Sequence, residues 1–364
     1  PEGVIPEYDH TYGKPVWLIY SGNEHRAVRD NVGLLDISTF SKFLFQGRDA
    51  ERIINYVSTN NMAVAPGRIV YTQWLNEQGG ISADLTVTRL AKDAYLVMTA
   101  FSSHTRDYNW LQRHIPSDAH AVLTDVTPSY AGINVQGPNS RVLLQQVSPD
   151  NFSNSAFPFG TSKEIQLGYA NIRASRISYV GELGWELLIP SDMAAHVYET
   201  LVEAGQDLEL TDVGMHAMNS LRIEKAYRHW GHDMADEDTP IEAGLEFAVR
   251  FDKPGGFIGR EALLKQKECG LVAKRMVQFL MEDPEVILYH NEPIIRDGTI
   301  CGYITSGMYG HTLGGSVGMG YLNNPLARGG VDSEFVNSGS YAFEMACKRY
   351  PAQASLGPLY DPGN

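Results

Sequence analysis

The chain folds back on itself at Asn76-Glu-Gln-Gly-Gly-Ile-Ser-Ala-Asp84-Leu-Thr-Val-Thr88, where a glycine-rich turn leads into a strand. The residues before it, 69–75, and the residues 81–90 are rich in β-branched and aromatic side chains, which favour strands. A short loop joins them, so the pattern predicts an antiparallel hairpin. Because side chains alternate along a strand, Asp84 is expected on the face opposite to Leu85.

Asp84 has no acidic neighbour in this strand and is expected to point away from the packed side of the hairpin. An isolated carboxylate in such a position is either a solvated side chain or a group held for catalysis. Spacing alone does not separate the two interpretations. We take Asp84 as the candidate catalytic residue.

The composition is that of a globular protein with more than one domain. A chain of 364 residues exceeds a single typical core, so two or three domains are expected. The net charge of -14 is spread along the chain, and an acidic surface disfavours nonspecific binding of nucleic acid or of anionic membranes. No run approaches the ~18 consecutive apolar residues of a membrane span. The sequence therefore predicts neither nucleic-acid nor membrane partners.

Motifs for metals and nucleotides are missing from the sequence. Cys269, Cys301 and Cys347 are too widely spaced for a zinc pattern or a disulfide framework, which favours a reducing compartment. His229 and His232 have no third ligand in the sequence, so no metal site is expected. Neither a dinucleotide fingerprint nor a phosphate loop occurs. We expect a cytoplasmic protein, or one of the mitochondrial matrix if the source is eukaryotic.

Helical and strand patterns alternate irregularly, which is typical of α+β proteins. From Met276 onward the pattern is strands with glycine turns, which predicts a separate β-domain; Gly315 to Gly320 is interpreted as turns within it. The other predicted elements are a strand over 95–100, a helix over 102–114, a helix over 139–147, a hairpin of 174–180 and 185–189, a helix from 191 to 205, and a helix from 212 to about 230.

Two further charged positions are candidates for a site. Glu186 lies beside Trp185 in an otherwise apolar strand, and a half-buried carboxylate needs donors that offset its desolvation. Those donors come either from a ligand with paired N–H groups or from an arginine within the protein. Arg222 and Arg228 fall on a predicted helix, where Arg228 is one turn from Glu224 and could simply pair with it on the surface.

Ten ordered blocks of sequence point to a known family. They are His25–Arg29, Gly33–Ser38, Tyr71–Leu90, Gln136–Pro138, Tyr179–Glu186, Ser220–Glu224, Trp230–Asp233, Thr239–Gly244, Phe257–Ala262 and Ser355–Pro362. In these blocks the chain resembles the folate-dependent aminomethyltransferases, which include the T-protein of the glycine cleavage system. It is similar in particular to the C-terminal folate domain of dimethylglycine and sarcosine dehydrogenases. The resemblance covers nearly the whole length.

The resemblance implies an α+β fold with three domains in a cloverleaf around a central folate cavity, ending in a β-barrel-like domain. The expected N-terminal domain, 1–125, carries the catalytic hairpin and is discontinuous. A second α+β domain, 126–265, carries the pterin-binding segment. The C-terminal barrel domain covers 266–364. The implied cofactor is tetrahydrofolate.

By the same resemblance, Asp84 aligns with the catalytic aspartate of the family. Glu186 aligns with the glutamate that binds the pterin N–H edge, while Tyr179, Arg222 and Tyr71 fall in segments that border the folate. A carboxylate near the N5/N10 edge of folate can orient the reacting amine, accept its proton and stabilise positive charge.

The resemblance also limits the classes of substrate that we expect. Val97–Phe101 and the single acid at Asp84 depart from the glycine-cleavage proteins, which argues against a lipoyl-protein substrate. The run Trp230–Pro240 instead resembles the branch whose folate domain receives a methylene iminium from a flavin domain. We therefore expect a tetrahydrofolate-dependent transferase that demethylates a small methylated amine or sulfonium compound onto folate N5. The alternatives are the folate-domain partner of a flavin-dependent dehydrogenase of the dimethylglycine or sarcosine type, or a non-catalytic folate-binding regulator.

Overall fold

The computed structural model describes residues 7–8, 10–270, 272–324 and 330–363. The α-helices in these ranges are α1 (Leu18–Asp30), α2 (Ala50–Val57), α3 (His104–Arg113), α4 (Ser140–Val147), α5 (Ala194–Ala204), α6 (Met215–Glu224), α7 (Arg260–Cys269) and α8 (Ser333–Ser338). The first nine strands are β1 (Gly33–Asp36), β2 (Ser41–Gln46), β3 (Ile69–Leu75), β4 (Ile81–Ala91), β5 (Ala94–Thr99), β6 (Val122–Asp125), β7 (Tyr130–Gln136), β8 (Ser162–Leu167) and β9 (Ala170–Ser175). The others are β10 (Gly184–Pro190), β11 (Thr211–Asp212), β12 (Lys274–Met281), β13 (Pro293–Arg296), β14 (Thr299–Gly310), β15 (Gly315–Asn323), β16 (Tyr341–Met345) and β17 (Lys348–Ser355).

The predicted hairpin is confirmed as β3 and β4, in an antiparallel sheet of order β3-β4-β5-β2-β6. Its loop is closed by the side chain of Asn76, whose Oδ1 accepts the backbone N–H groups of Gln78 and Gly80. Leu85 packs in the core beneath the sheet, while Asp84 lies on the opposite face, as the alternation predicts. The hairpin therefore fixes the position of the Asp84 carboxylate.

A second sheet has the order β11-β1-β7-β10-β9-β8. Its strand β1 comes from the range expected to form the N-terminal domain, yet it pairs with β7 and β11. The domain boundaries expected at residues 125 and 265 stay a prediction. The expected strand 174–180 is wrong beyond Ser175, because the Ser178 hydroxyl accepts the backbone N–H groups of residues 180, 181 and 182 and turns the chain.

The helix expected from 212 to about 230 is shorter at both ends. Its first residue belongs instead to β11, and α6 begins at Met215 and ends at Glu224. Ala226 has a left-handed backbone with φ of 54°, which an α-helix does not tolerate. The following residues turn round the Asp233 carboxylate, which accepts the backbone N–H of His229.

The C-terminal region is a closed six-stranded barrel of order β12-β15-β14-β13-β16-β17, which confirms the expected barrel and the α+β class. Asp297 and Gly298 form its two-residue hairpin turn with φ of 49° and 84°, as their sequence predicts. The expectation of turns from Gly315 to Gly320 is wrong, because this segment lies within β15. A Cβ at Gly320 would come within 2.4 Å of the Tyr303 carbonyl oxygen, so glycine permits the strands to approach. Within the described ranges, no helix is long and apolar enough to span a bilayer.

Candidate active site

The Asp84 carboxylate is half-buried and held by two neighbouring side chains of β3. Gln73 Nε2 donates to Asp84 Oδ1 at 2.9 Å, and the Tyr71 hydroxyl donates to the same carboxylate. Burial raises the pKa of Asp84 to about 6, although both hydrogen bonds and the nearby Arg228 favour the charged form. No lysine, arginine or histidine in the described ranges pairs with Asp84 within 4.0 Å. The carboxylate is thus neither freely solvated nor neutralised in an ion pair.

Tyr71 connects Asp84 to an aromatic surface. Its ring stacks on Phe247 with centroids 6.0 Å apart, and Phe247 is 68% exposed. Burial, together with the negative charge of Asp84, keeps the pKa of Tyr71 well above its ordinary value. Tyr71 therefore remains a neutral hydroxyl that donates to Asp84.

Glu186 lies on β10, directly opposite Asn134 on β7. Asn134 donates a hydrogen bond to it, and the buried ammonium of Lys42 lies near enough to favour its charged form. Burial nevertheless raises the pKa of Glu186 to about 7. No arginine of the described chain forms an ion pair with Glu186, so the internal arginine expected as one alternative is wrong. The carboxylate has hydrogen-bonding capacity left for a ligand.

Asn134 is a residue that the sequence analysis missed. Its side-chain Oδ1 is buried and has no hydrogen-bond partner among the described residues, although buried polar atoms are normally paired. Its neighbours Ile133 and Val135 are apolar, so a polar side chain facing Glu186 interrupts a buried strand. A polar residue within an apolar strand is a signal that the sequence contains. It points to Glu186 only when the strand register is known.

Arg222 is buried, and its guanidinium is fully engaged. It donates to Asp233 Oδ2 at 2.6 Å, to the Ser306 hydroxyl at 2.9 Å and to the Tyr227 carbonyl oxygen at 3.0 Å. Burial opposes ionisation of Asp233, but Arg222 and the surrounding donors hold its pKa below its ordinary value. Through these hydrogen bonds Arg222 connects helix α6 to the 227–233 turn and to barrel strand β14.

The surface pair expected between Glu224 and Arg228 is wrong. Glu224 is completely buried and bonds Arg29 at 3.0 Å, because its helix packs against α1 and the barrel. Arg228 lies beyond the helix end and donates instead to the carbonyl oxygens of Ala226, at 2.5 Å, and Ala243, at 2.9 Å.

Tyr179 completes the cluster around Asp84. Its hydroxyl donates to the Arg228 carbonyl oxygen at 2.8 Å, and burial raises its pKa above the ordinary value. Asp84 and Arg222 both lie near enough to influence that pKa. The structure thus brings Asp84, Tyr71, Tyr179 and Arg222 together, whereas Glu186 lies on the second sheet and shares no hydrogen bond or ion pair with them in the described chain.

We assign no part in the candidate active site to the histidine and cysteine side chains. Burial lowers the pKa of His229 to about 4, so its ring is neutral at physiological pH. Across the described ranges, no group of three histidine, cysteine or acidic residues is placed to hold a metal ion. The three cysteines are free thiols, and Cys301 is buried.

Two family comparisons together match most of the chain. The GCVT N-terminal domain matches residues 6–253, and the glycine cleavage T-protein C-terminal barrel domain matches residues 274–361. Among individual relatives, an aminomethyltransferase of Halothermothrix orenii is 37% identical over 86% of this chain and 86% of its own length.

Longer relatives match as well. A formaldehyde-forming 4-methylaminobutanoate oxidase of Paenarthrobacter nicotinovorans is 42% identical over 99% of this chain and 42% of its own length. Human mitochondrial sarcosine dehydrogenase is 37% identical over 98% of this chain and 40% of its own length. The chain therefore spans about two fifths of these two relatives.

Among solved structures, the glycine cleavage system aminomethyltransferase T from Bartonella henselae superposes with a TM-score of 0.82. The match covers 94% of this chain and 90% of that one at 24% sequence identity. At this level of identity the likeness supports the fold.

Proposed function

The chain belongs to the glycine cleavage T-protein family of folate-dependent aminomethyltransferases, and on that premise we propose that it transfers a one-carbon unit from a small N-methylated amine to tetrahydrofolate N5. Tetrahydrofolate is the cofactor of this family. The observation that carries the proposal is Asp84, a carboxylate held by Tyr71 and Gln73 with its pKa raised to about 6.

The residues around Glu186 suit a reduced pterin. The edge of that ring presents adjacent N–H donors, which one carboxylate can accept as a pair. Glu186 offers the carboxylate, and the unpaired Oδ1 of Asn134 offers a further acceptor beside it. Hydrogen bonds from a bound ring would offset the desolvation that now raises the pKa of Glu186.

When bound, tetrahydrofolate supplies the nucleophilic nitrogen N5. Asp84 is ionised at neutral pH, because its pKa of about 6 lies below 7. For an incoming iminium, it would accept the proton released when the new carbon–nitrogen bond forms and the π pair returns to the amine nitrogen. It would then give this proton to the amine nitrogen, so that the old carbon–nitrogen bond breaks with its electron pair on that nitrogen and the amine leaves. The second bond of a methylene product would come from N10, whose proton goes to solvent. Gln73 and Tyr71 hold the carboxylate in one orientation, which reduces the reorganisation needed during transfer.

The one-carbon unit has two possible sources. In the first, this chain demethylates a small methylated amine or sulfonium compound directly and yields 5-methyltetrahydrofolate. In the second, the oxidised flavin of a partner takes two electrons from the N-methyl amine, and this chain receives the resulting methylene iminium. Two longer relatives support the second form. They are named as an oxidase and a dehydrogenase of methylated amines, and this chain spans about two fifths of each.

Product analysis tests the proposal. The purified chain is incubated with tetrahydrofolate and an N-methylated amino acid, with and without a flavin-dependent amine dehydrogenase, and the Asp84→Asn variant serves as the matched control. Methylene product that requires both the flavoprotein and an intact Asp84 supports the second form; methyl product without flavoprotein supports the first. Equal product from wild type and Asp84→Asn would overturn the proposed role of Asp84, and no measurable tetrahydrofolate binding would overturn the function.

A further inference from the structure

Arg228 is a cation without an anionic partner beside the candidate catalytic residue. Its Nη1 and Nε donate to the Ala226 and Ala243 carbonyl oxygens, but no carboxylate of the described chain lies within 4.0 Å of the guanidinium. Burial lowers the pKa of Arg228. Its Nε contact, Ala243, belongs to the core cluster against which Tyr71 packs, and Tyr71 donates to Asp84. A desolvated guanidinium without a counterion is costly unless a ligand supplies one.

Gly244 lies against the free end of this guanidinium, where a side chain would crowd it. Nη2 has no hydrogen-bond acceptor in the described ranges, and Gly244 lies against it with a φ of 71°. A Cβ at that position would lie 2.8 Å from Nη2. The two carbonyl contacts fix the other nitrogens, so Nη2 is the donor left for a ligand.

Tyr321 supplies a second donor without an acceptor. It lies on barrel strand β15, is 5% exposed, and its buried hydroxyl has no partner in the described part of the chain. Tyr321 belongs to the same core cluster as Ala226, whose carbonyl oxygen accepts from Arg228. Burial raises the pKa of Tyr321. Tyr321 therefore keeps its proton and can donate it in a hydrogen bond.

Two of the acidic groups around these donors are paired with cations, whereas Glu242 keeps its charge and Asp84 lies farther from Arg228. Asp233 pairs with Arg222 at 2.6 Å, and Asp238 pairs with Lys274 at 2.5 Å. Glu242 accepts the backbone N–H of Thr239 at 3.1 Å. Asp84 faces the same region but is not within 4.0 Å of Arg228.

We propose that Arg228 and Tyr321 bind the carboxylate of the methylated donor, so that the substrates of this site are N-methylated amino acids rather than simple methylated amines. This inference rests on the proposed function, since it places the donor next to Asp84. A guanidinium and a hydroxyl are suited to a carboxylate, which accepts from both at once. A donor that lacks a carboxylate leaves both groups unpaired, and such a loss discriminates strongly between substrates.

Tetrahydrofolate also carries carboxylates, on its glutamate. Those groups lie at the far end of the cofactor from N5, beyond the aminobenzoyl ring. Arg228 instead is held by Ala243, in the cluster against which Tyr71 packs, and Tyr71 donates to Asp84, the carboxylate that is proposed to serve the reacting nitrogen. The position therefore favours the carboxylate of the donor, and the experiment below separates the two sources.

The test is calorimetric binding to the full chain without turnover. The ligands are 4-(methylamino)butanoate, N-methylglycine, the primary amide of each, which lacks the carboxylate charge, and tetrahydrofolate. The proteins are wild type, Arg228→Gln, Tyr321→Phe and, as the matched control, Arg52→Gln at an exposed arginine on α2. We expect Arg228→Gln to weaken binding of at least one acid by at least about tenfold, and Tyr321→Phe to weaken it by about threefold or more. Amide binding should be weak in wild type and insensitive to either substitution. Thermal melting of each variant checks that it is folded.

Three outcomes would overturn the inference. The first is equal weakening of acid and amide, which indicates a structural role. The second is a loss of tetrahydrofolate affinity in Arg228→Gln with acid binding unchanged, which assigns the arginine to the glutamate of folate. The third is an absence of acid binding in wild type. Acid binding that depends on Arg228 in a chain that does not bind tetrahydrofolate would instead count against the proposed function alone.

Discussion

Asn134 and Glu186 face each other on the neighbouring strands β7 and β10, and the Asn134 amide donates to the carboxylate while its own Oδ1 is unpaired. Two acceptors thus lie side by side on one face of a sheet. A pterin edge carries several N–H donors, which need more than one acceptor group. Glu186 together with the Asn134 Oδ1 therefore suits that edge better than Glu186 alone.

Replacement of Asn134 by alanine is therefore expected to weaken tetrahydrofolate binding by about threefold to tenfold, the usual effect of one lost hydrogen bond. Fluorescence titration of the folate measures it. Asn171→Ala, at an exposed position on β9 of the same sheet, is the matched control and should bind as wild type does. Identical affinities for Asn134→Ala and wild type would remove Asn134 from the pterin site.

Asp84→Asn is expected to lower turnover at least about tenfold, because a general base contributes roughly 10²- to 10⁴-fold and the amide cannot accept the proton. Tetrahydrofolate binding should largely survive, since the substitution keeps the shape of the side chain. Steady-state product formation and equilibrium binding are measured on the same preparation. A variant that loses folate affinity while it retains turnover at saturation would contradict the catalytic assignment.

The pH dependence follows from the same carboxylate. The active form is ionised, so the transfer rate should fall as the pH drops below the Asp84 pKa of about 6, by roughly tenfold for each further pH unit. The Tyr71 hydroxyl stabilises the charged form, so Tyr71→Phe should move the midpoint to higher pH. Single-turnover rates between pH 5 and 8 measure both midpoints, and Tyr56→Phe, at an exposed tyrosine, is the control. A midpoint that stays in place or moves to lower pH in Tyr71→Phe would show that the hydroxyl does not act on Asp84.

Glu186→Gln is expected to stabilise the ligand-free protein while it weakens folate binding. Burial raises the pKa of Glu186 from its ordinary value of 4.5 to about 7, so the folded wild type prefers the protonated form. Wild-type stability should consequently fall as the pH rises from 4.5 to 7, and the loss is complete above 7. The change in pKa from 4.5 to about 7 corresponds to at most about 3.5 kcal/mol.

Urea unfolding at pH 4.5 and pH 8 tests this expectation. The difference in free energy of unfolding between Glu186→Gln and wild type should be small at pH 4.5 and should favour the variant at pH 8. A variant that is less stable than wild type at pH 8 would mean that internal donors already satisfy the carboxylate.

The sequence predicts local features of this molecule better than its packing. Alternation and turn chemistry are properties of neighbouring residues, and they correctly place Asp84 on the open face of β4 and Asp297-Gly298 in a hairpin turn. The helix expected over 212–230 ends early because Ala226 has a left-handed backbone, and beyond it the backbone N–H of His229 bonds to Asp233, a residue outside the helical pattern. The expectation of turns from Gly315 to Gly320 is wrong for a similar reason, since the close approach of the neighbouring strand, which glycine permits, decides that this segment is a strand.

The site shows the same division between local and distant effects. The resemblance supplies Asp84 and Glu186 as candidates. No pattern along the chain indicates that Asn134 faces Glu186, or that Tyr321 shares a core cluster with Ala226, whose carbonyl oxygen accepts from Arg228. Those relations depend on strand register and on the packing of the barrel against α6. Arg222 is the clearest example, because its sequence position is equally compatible with a ligand contact, a surface pair and the buried ion pair that it forms.

That ion pair gives a prediction that separates support of the fold from contact with folate. Arg222→Met leaves Asp233 buried without its partner, and breaking a buried pair in this way costs about 3–5 kcal/mol. Urea unfolding should show a loss of that order, whereas the double variant Arg222→Met with Asp233→Leu should recover much of it, because no charge is then left unpaired. If Arg222 instead contacts folate directly, the single variant would retain its stability and lose tetrahydrofolate affinity, and the second substitution would not restore that affinity. Because Arg222 joins α6 to the turn that carries Arg228 and His229, we expect folate and donor binding to decline only in proportion to the fraction of the variant that is unfolded.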